Sequence, residues 1–149
     1  MMRALNATAA LVVAMTAGAG AASIAIALQP RQAMVKFVKP TEQSVVGGGC
    51  RLNEKKTTFG AAFPSTPDMK KPYLAFSIGP DTLMAKESHA SMAPYHGAAT
   101  YTDVLMSGNG GSAFAGLGTV KVSADGKSGS FAMNDGSASG TWDCGVAPQ

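Results

Sequence analysis

A chain of 149 residues, 46% of them hydrophobic, is long enough for one core and too short for two domains once a leader is set aside. Two of its twelve Lys/Arg, Arg3 and Arg31, precede Met34, which leaves ten basic residues against nine Asp/Glu. A remainder so close to neutral has no electrostatic footprint for nucleic acid, and 18 glycines, ten of them after position 107, argue against a helix bundle, because glycine weakens helix interiors.

The first element is hydrophobic. Arg3 supplies a short positive start, and no ionisable side chain follows from Ala4 to Leu28, with the most apolar stretch at Leu11 to Met15. Residues 1–33 therefore read as an export signal or signal anchor with a short linker, preceding a single domain over 34–149. Small residues suit cleavage after Ala21 or Ala27. Left uncut, 25 uncharged residues are enough for a helix to span the ~30 Å of hydrocarbon and keep the domain in contact with the membrane. Either way the domain is expected outside the cytoplasmic membrane, periplasmic or secreted. Gly47-Gly48-Gly49-Cys50 has the outline of a lipid-attachment motif, but the polar stretch from Lys36 to Gln43 before it excludes one.

The domain that follows reads as mainly β. Val35-Lys36-Phe37 is a short strand candidate, Tyr73 to Ile78 alternates with Leu74, Phe76 and Ile78 inward, and Thr100 to Met106 is an irregular third. Leu83 to Ala93 is a short helix or a long loop. The clearest signals come last: Thr119 to Val122, Ser130 to Met133 and Ser139 to Cys144 are three β-forming runs separated by Asp125-Gly126 and Asp135-Gly136. Asp-Gly between such runs predicts type I′ hairpins and a three-stranded meander. Alternation turns Val120, Val122, Phe131, Met133, Trp142 and Cys144 inward and Lys121, Ser130, Thr141 and Asp143 outward. Six to eight short strands in all predict a small antiparallel β-sandwich or barrel.

Cys50 and Cys144 are the only cysteines and bracket this domain, so in an oxidising compartment they are expected to form a structural disulfide. A redox or zinc pair would need a close spacing or neighbouring histidines, and the chain has neither. The ending Gly118 to Val122, Asp125-Gly126, Ser128 to Phe131, Asp135-Gly136 and Ser139 to Gly145, with Tyr95-His96-Gly97 and Thr100-Tyr101, resembles small bacterial secreted or lipoprotein-type β domains that finish on a Gly-Thr-Trp-Asp-Cys-Gly strand. The resemblance covers residues 73 to 145, lacks the lipoprotein members' cysteine at the end of the leader, and implies fold and location without implying an activity.

Motifs for chemistry fail one by one. The glycines from Gly108 to Gly118 lack phosphate-loop spacing, and Gly126-Lys127-Ser128 has only the end of that motif. Serines and His89, His96 and Asp103 are present without a nucleophile elbow, and no spacing pairs two carboxylates among Asp68, Asp81, Glu87, Asp103 and Asp143. The paired lysines Lys55-Lys56 and Lys70-Lys71 read as solvated loops. Met84, His89, Met92, His96 and Met106 combine thioether and imidazole groups that suit Cu(I), although methionine is equally a core filler. The expectation is a non-enzymatic extracytoplasmic accessory or binding module, without cofactor, whose partner is a protein or cell-envelope component. A periplasmic copper-binding protein and a small secreted hydrolase are the alternatives.

Overall fold

The computed structural model describes residues 31–80 and 93–146. The leader with its expected hydrophobic helix and nearly all of the Leu83 to Ala93 segment lie outside the described residues. Nine strands follow in order: β1 (Met34–Lys39), β2 (Gln43–Val46), β3 (Gly49–Leu52), β4 (Phe59–Phe63), β5 (Tyr73–Ile78), β6 (Ala99–Asn109), β7 (Ala113–Val122), β8 (Ser128–Met133) and β9 (Ser139–Asp143). All pairings are antiparallel, in one sheet of order β2-β1-β9-β8-β7-β6-β5-β4-β3.

That order carries a geometric consequence. The two outermost strands, β2 and β3, are consecutive in the chain and separated by Gly47 and Gly48 alone. Gly47 N donates to Ala33 O at 2.8 Å, extending the ladder on the β1 side. Gly48, at φ +97°, runs so close to β4 that a Cβ there would overlap the Ala62 carbonyl, a conformation and an approach open to glycine. The sheet has therefore curled into a half-barrel until its two edges lie two residues apart. The Cys50–Cys144 disulfide, with Cα atoms 5.3 Å apart, ties β3 to the residue after β9, strands that the sheet order separates by five others.

Alternation fills the inside of the roll. Val35 and Phe37, Phe59, Ala61 and Phe63, Leu74, Phe76 and Ile78, Val120 and Val122, Phe131 and Met133, and Trp142 and Cys144 are all buried in one cluster. Rings make up much of it: Phe59 sits 5.6 Å from Trp142, Phe76 also 5.6 Å from Trp142, and Phe37 meets Phe131 edge-on at 5.7 Å. Among the described residues no polar or charged side chain is buried.

The expected inward and outward sets of β5, β7, β8 and β9 agree with this burial. β6 shows why its segment reads as irregular: the register slips between Tyr101 and Val104, with Asp103 at φ 54°, so two inward residues stand three apart. The turns differ from expectation. Asp125 and Asp135 are not among the positive-φ residues, so neither hairpin is type I′; each connection is five residues, 123–127 and 134–138, with its glycine at positive φ, Gly126 at 70° and Gly136 at 78°. The cause lies in the aspartates, whose Oδ1 atoms accept the Lys127 and Ser137 amides at 2.9 Å and fold the side chain back over the turn. Hydrogen bonds from the Ser137 hydroxyl first, and from its amide second, hold the Asp135 carboxyl below the ordinary value.

Candidate functional site

With the inside filled, a hollow of about 420 Å³ is lined by Val45 and by loop residues that include Pro64, Asp68 and Lys71, and two more surfaces open to chemistry lie on the outer face of the sheet. One is a groove of about 510 Å³ across β1, β9, β8 and β7. Its floor follows from register: Lys36 pairs with Thr141, Thr141 with Ser130 and Ser130 with Lys121, so four outward residues form one row perpendicular to the strands. The row continues to Ser44 beyond Lys36 and to Thr100 beyond Lys121. Every member is a hydroxyl or an ammonium donor, and no acid stands on it. Asp143, one row away opposite Ser128, lines the groove with its Oδ1 accepting Gly145 N at 2.8 Å.

The second outer surface runs over β3 to β7. Gly49, Ala62, Ala75, Ser107 and Ala115 make one row and Gly60, Ser77, Leu105 and Leu117 the next, with Arg51 at the β3 end as the only charge. Gly, Ala and Ser at most of these positions leave the face weakly polar, with hollows of about 390 Å³ at its β3–β5 end and about 260 Å³ over β5 to β7.

A column of rings closes one side of the roll. Phe59 stacks on Tyr95 at 4.9 Å, Tyr95 on Tyr101 at 5.6 Å, and His96 lies 5.2 Å from Tyr101. The segment is pinned by Tyr95 N donating to Thr57 O, by His96 N donating to the Tyr101 hydroxyl and by that hydroxyl donating to Gly97 O. Burial first, and the neighbouring Tyr101 second, push the Tyr95 phenol above its ordinary pKa.

These arrangements place the residues singled out from sequence. Cys50 and Cys144 are joined. Met106 is 2% exposed and packs in the core, its Cε against the Gly118 backbone, whereas His96 is exposed. Met84, His89 and Met92 lie outside the described residues, as do Asp81 and Glu87. No group of three His, Cys, Asp or Glu side chains that could hold a metal occurs among the described residues. Asp68 caps its own loop by accepting Lys70 N, and Asp103 sits in the β6 bulge. Lys55, Lys56, Lys70 and Lys71 are exposed in loops. Lys36 is the residue that sequence reasoning passed over: its outward position was readable from Val35 and Phe37, but its neighbour Thr141 was not, because β1 and β9 come from opposite ends of the domain.

Comparison with protein-family models, with curated proteins and with solved structures finds no match.

Proposed function

We propose that the chain is an exported, non-enzymatic binding or accessory module that holds a protein or envelope component on the outer surface of its curled sheet. The observation that carries this reading is the contrast between the two sides: the inside is closed by packed rings and aliphatic side chains, while the donor-lined groove and the weakly polar face over β3 to β7 both point outward. Enzyme sites gather polar groups with displaced pKa values in a concave, water-poor pocket. Among the described residues the displaced groups are Tyr95, in the aromatic column, and Asp135, in a hairpin turn.

In this reading the scaffold is a small barrel completed by the turn at Gly47-Gly48, and the resemblance of residues 73 to 145 to secreted β domains supports an extracytoplasmic setting. So does the disulfide, which is durable in an oxidising compartment. A photo-crosslinking residue placed at Ala115, at Thr141 or, as a control, at Lys55 tests the proposal in intact cells. A discrete adduct from Ala115 or Thr141, absent from Lys55, is expected. Equal adducts from all three positions, or none from any, would refute it. Stoichiometric labelling of the purified chain by a serine-reactive probe would establish the hydrolase instead. A tight one-to-one Cu(I) complex lost in the His89→Ala/His96→Ala chain would establish the copper protein.

A further inference from the structure

We propose that the groove over β1, β9, β8 and β7 binds a phosphoryl group, held by Lys36 and Lys121 above the hydroxyls of Thr141 and Ser130; this rests on the outer surface being the binding side. The geometry comes from the register. Lys36 and Lys121 stand three strands apart on one row, which at the usual interstrand spacing is about 14 Å between Cα atoms. Each lysine stem reaches about 6 Å, so the two ammonium groups can converge over the two residues between them.

Those two residues are Thr141 and Ser130, both able to donate a hydroxyl proton. Two ammonium groups and two hydroxyls approaching from both ends and from below match a tetrahedral oxyanion, whose oxygens accept from several directions. A carboxylate is better matched by the planar fork of arginine, and the groove contains none. A nucleobase would need an exposed ring to stack on, and the groove's one aromatic residue, Trp142, is 2% exposed. The one acid lining the groove, Asp143, lies a row away from the lysines with its Oδ1 accepting the Gly145 amide, so the two ammonium groups outnumber it, and hydroxyl groups at Ser44 and Thr100 extend the donor row past each lysine.

The same chemistry is offered by free phosphate and by a phospholipid headgroup, and the test separates them. Inorganic phosphate is titrated at constant ionic strength into the full chain with its disulfide intact, and backbone amide shifts are followed by NMR. Saturable shifts centred on Ser130 and Thr141 are expected, with acetate producing none. Lys36→Gln and Lys121→Gln should each weaken binding about fivefold and together at least about 25-fold, with melting temperatures unchanged and Lys55→Gln without effect. Binding to phosphatidylglycerol vesicles that inorganic phosphate displaces would assign the lipid headgroup. Phosphate binding with no affinity for those vesicles would assign the free anion.

No saturation by about 50 mM phosphate, or binding that survives the double substitution, would overturn the inference. Crosslinked adducts at Thr141 that persist in the doubly substituted chain would then still uphold the outer surface as the binding side, so the two ideas fail separately.

Discussion

Opening the Cys50–Cys144 bond should cost this domain a large part of its stability, and the size follows from where the bond sits. Its partners are 94 residues apart, so the closed loop removes about 16 cal/mol/K from the unfolded chain, or about 4.7 kcal/mol at 25 °C. With an unfolding entropy of about 2.1 cal/mol/K per residue, a folded unit of about 115 residues should then melt about 15–20 °C lower. The assay is urea denaturation followed by far-ultraviolet circular dichroism, on the oxidised chain, the reduced chain and Cys50→Ala/Cys144→Ala. Reduction retains both sulfur atoms and releases only the constraint; the alanine pair also leaves a void beside Trp142 and should lose about 1 kcal/mol more. The reduced chain should also show a steeper urea dependence, because its unfolded state exposes more surface. A loss under about 1.5 kcal/mol with an unchanged slope would refute the reasoning. It would mean that the turn at Gly47-Gly48 and the ladders alone keep β3 beside the end of β9. Two free thiols in the protein isolated without reductant would refute it outright.

Two further outcomes follow from the core and the aromatic column. Trp142 is 2% exposed between Phe59 and Phe76, with Nε1 donating to Ser130 O at 3.3 Å, so its fluorescence should be blue-shifted and resistant to iodide. Trp142→Ala should cost about 3–5 kcal/mol, and a loss below about 1 kcal/mol would show that the closing strand is not packed as described. Tyr95 ionises above the ordinary tyrosine value of 10.0, so the unfolded chain loses this proton first. Its contribution to stability is complete below that value and is lost as pH rises through the raised one. Tyr95→Phe should therefore flatten the alkaline fall in stability, read by denaturant midpoints across that range, and an identical fall in the two proteins would rule out this origin.

Much of the fold could be read residue by residue because β structure writes itself in period two. Leu74, Phe76 and Ile78, Val120 and Val122, Phe131 and Met133, and Trp142 with Cys144 declared their inward faces without any knowledge of their neighbours. The two Asp-Gly pairs located the last two hairpins, and a lone pair of cysteines could join only to each other. Turn type was not legible, since it turns on a contest between backbone preference and the aspartate side chain's bond to the Lys127 or Ser137 amide. Nor were β2, β3 and β4: β2 and β3 have only four residues each, too few for alternation to show, and in β4 the Gly-Ala-Ala between Phe59 and Phe63 blurs the contrast between faces.

What tertiary structure alone decided is who stands beside whom. Lys36 and Thr141 are more than a hundred positions apart, and nothing local to either reports that β1 lies against β9. That pairing follows from curling the whole sheet until Gly47-Gly48 bridges its edges, a global closure that sums the twist of every strand. The outward direction of a side chain is a property of its own strand. A groove is a property of four strands at once, so the donor row of Lys36, Thr141, Ser130 and Lys121 exists only in the folded chain.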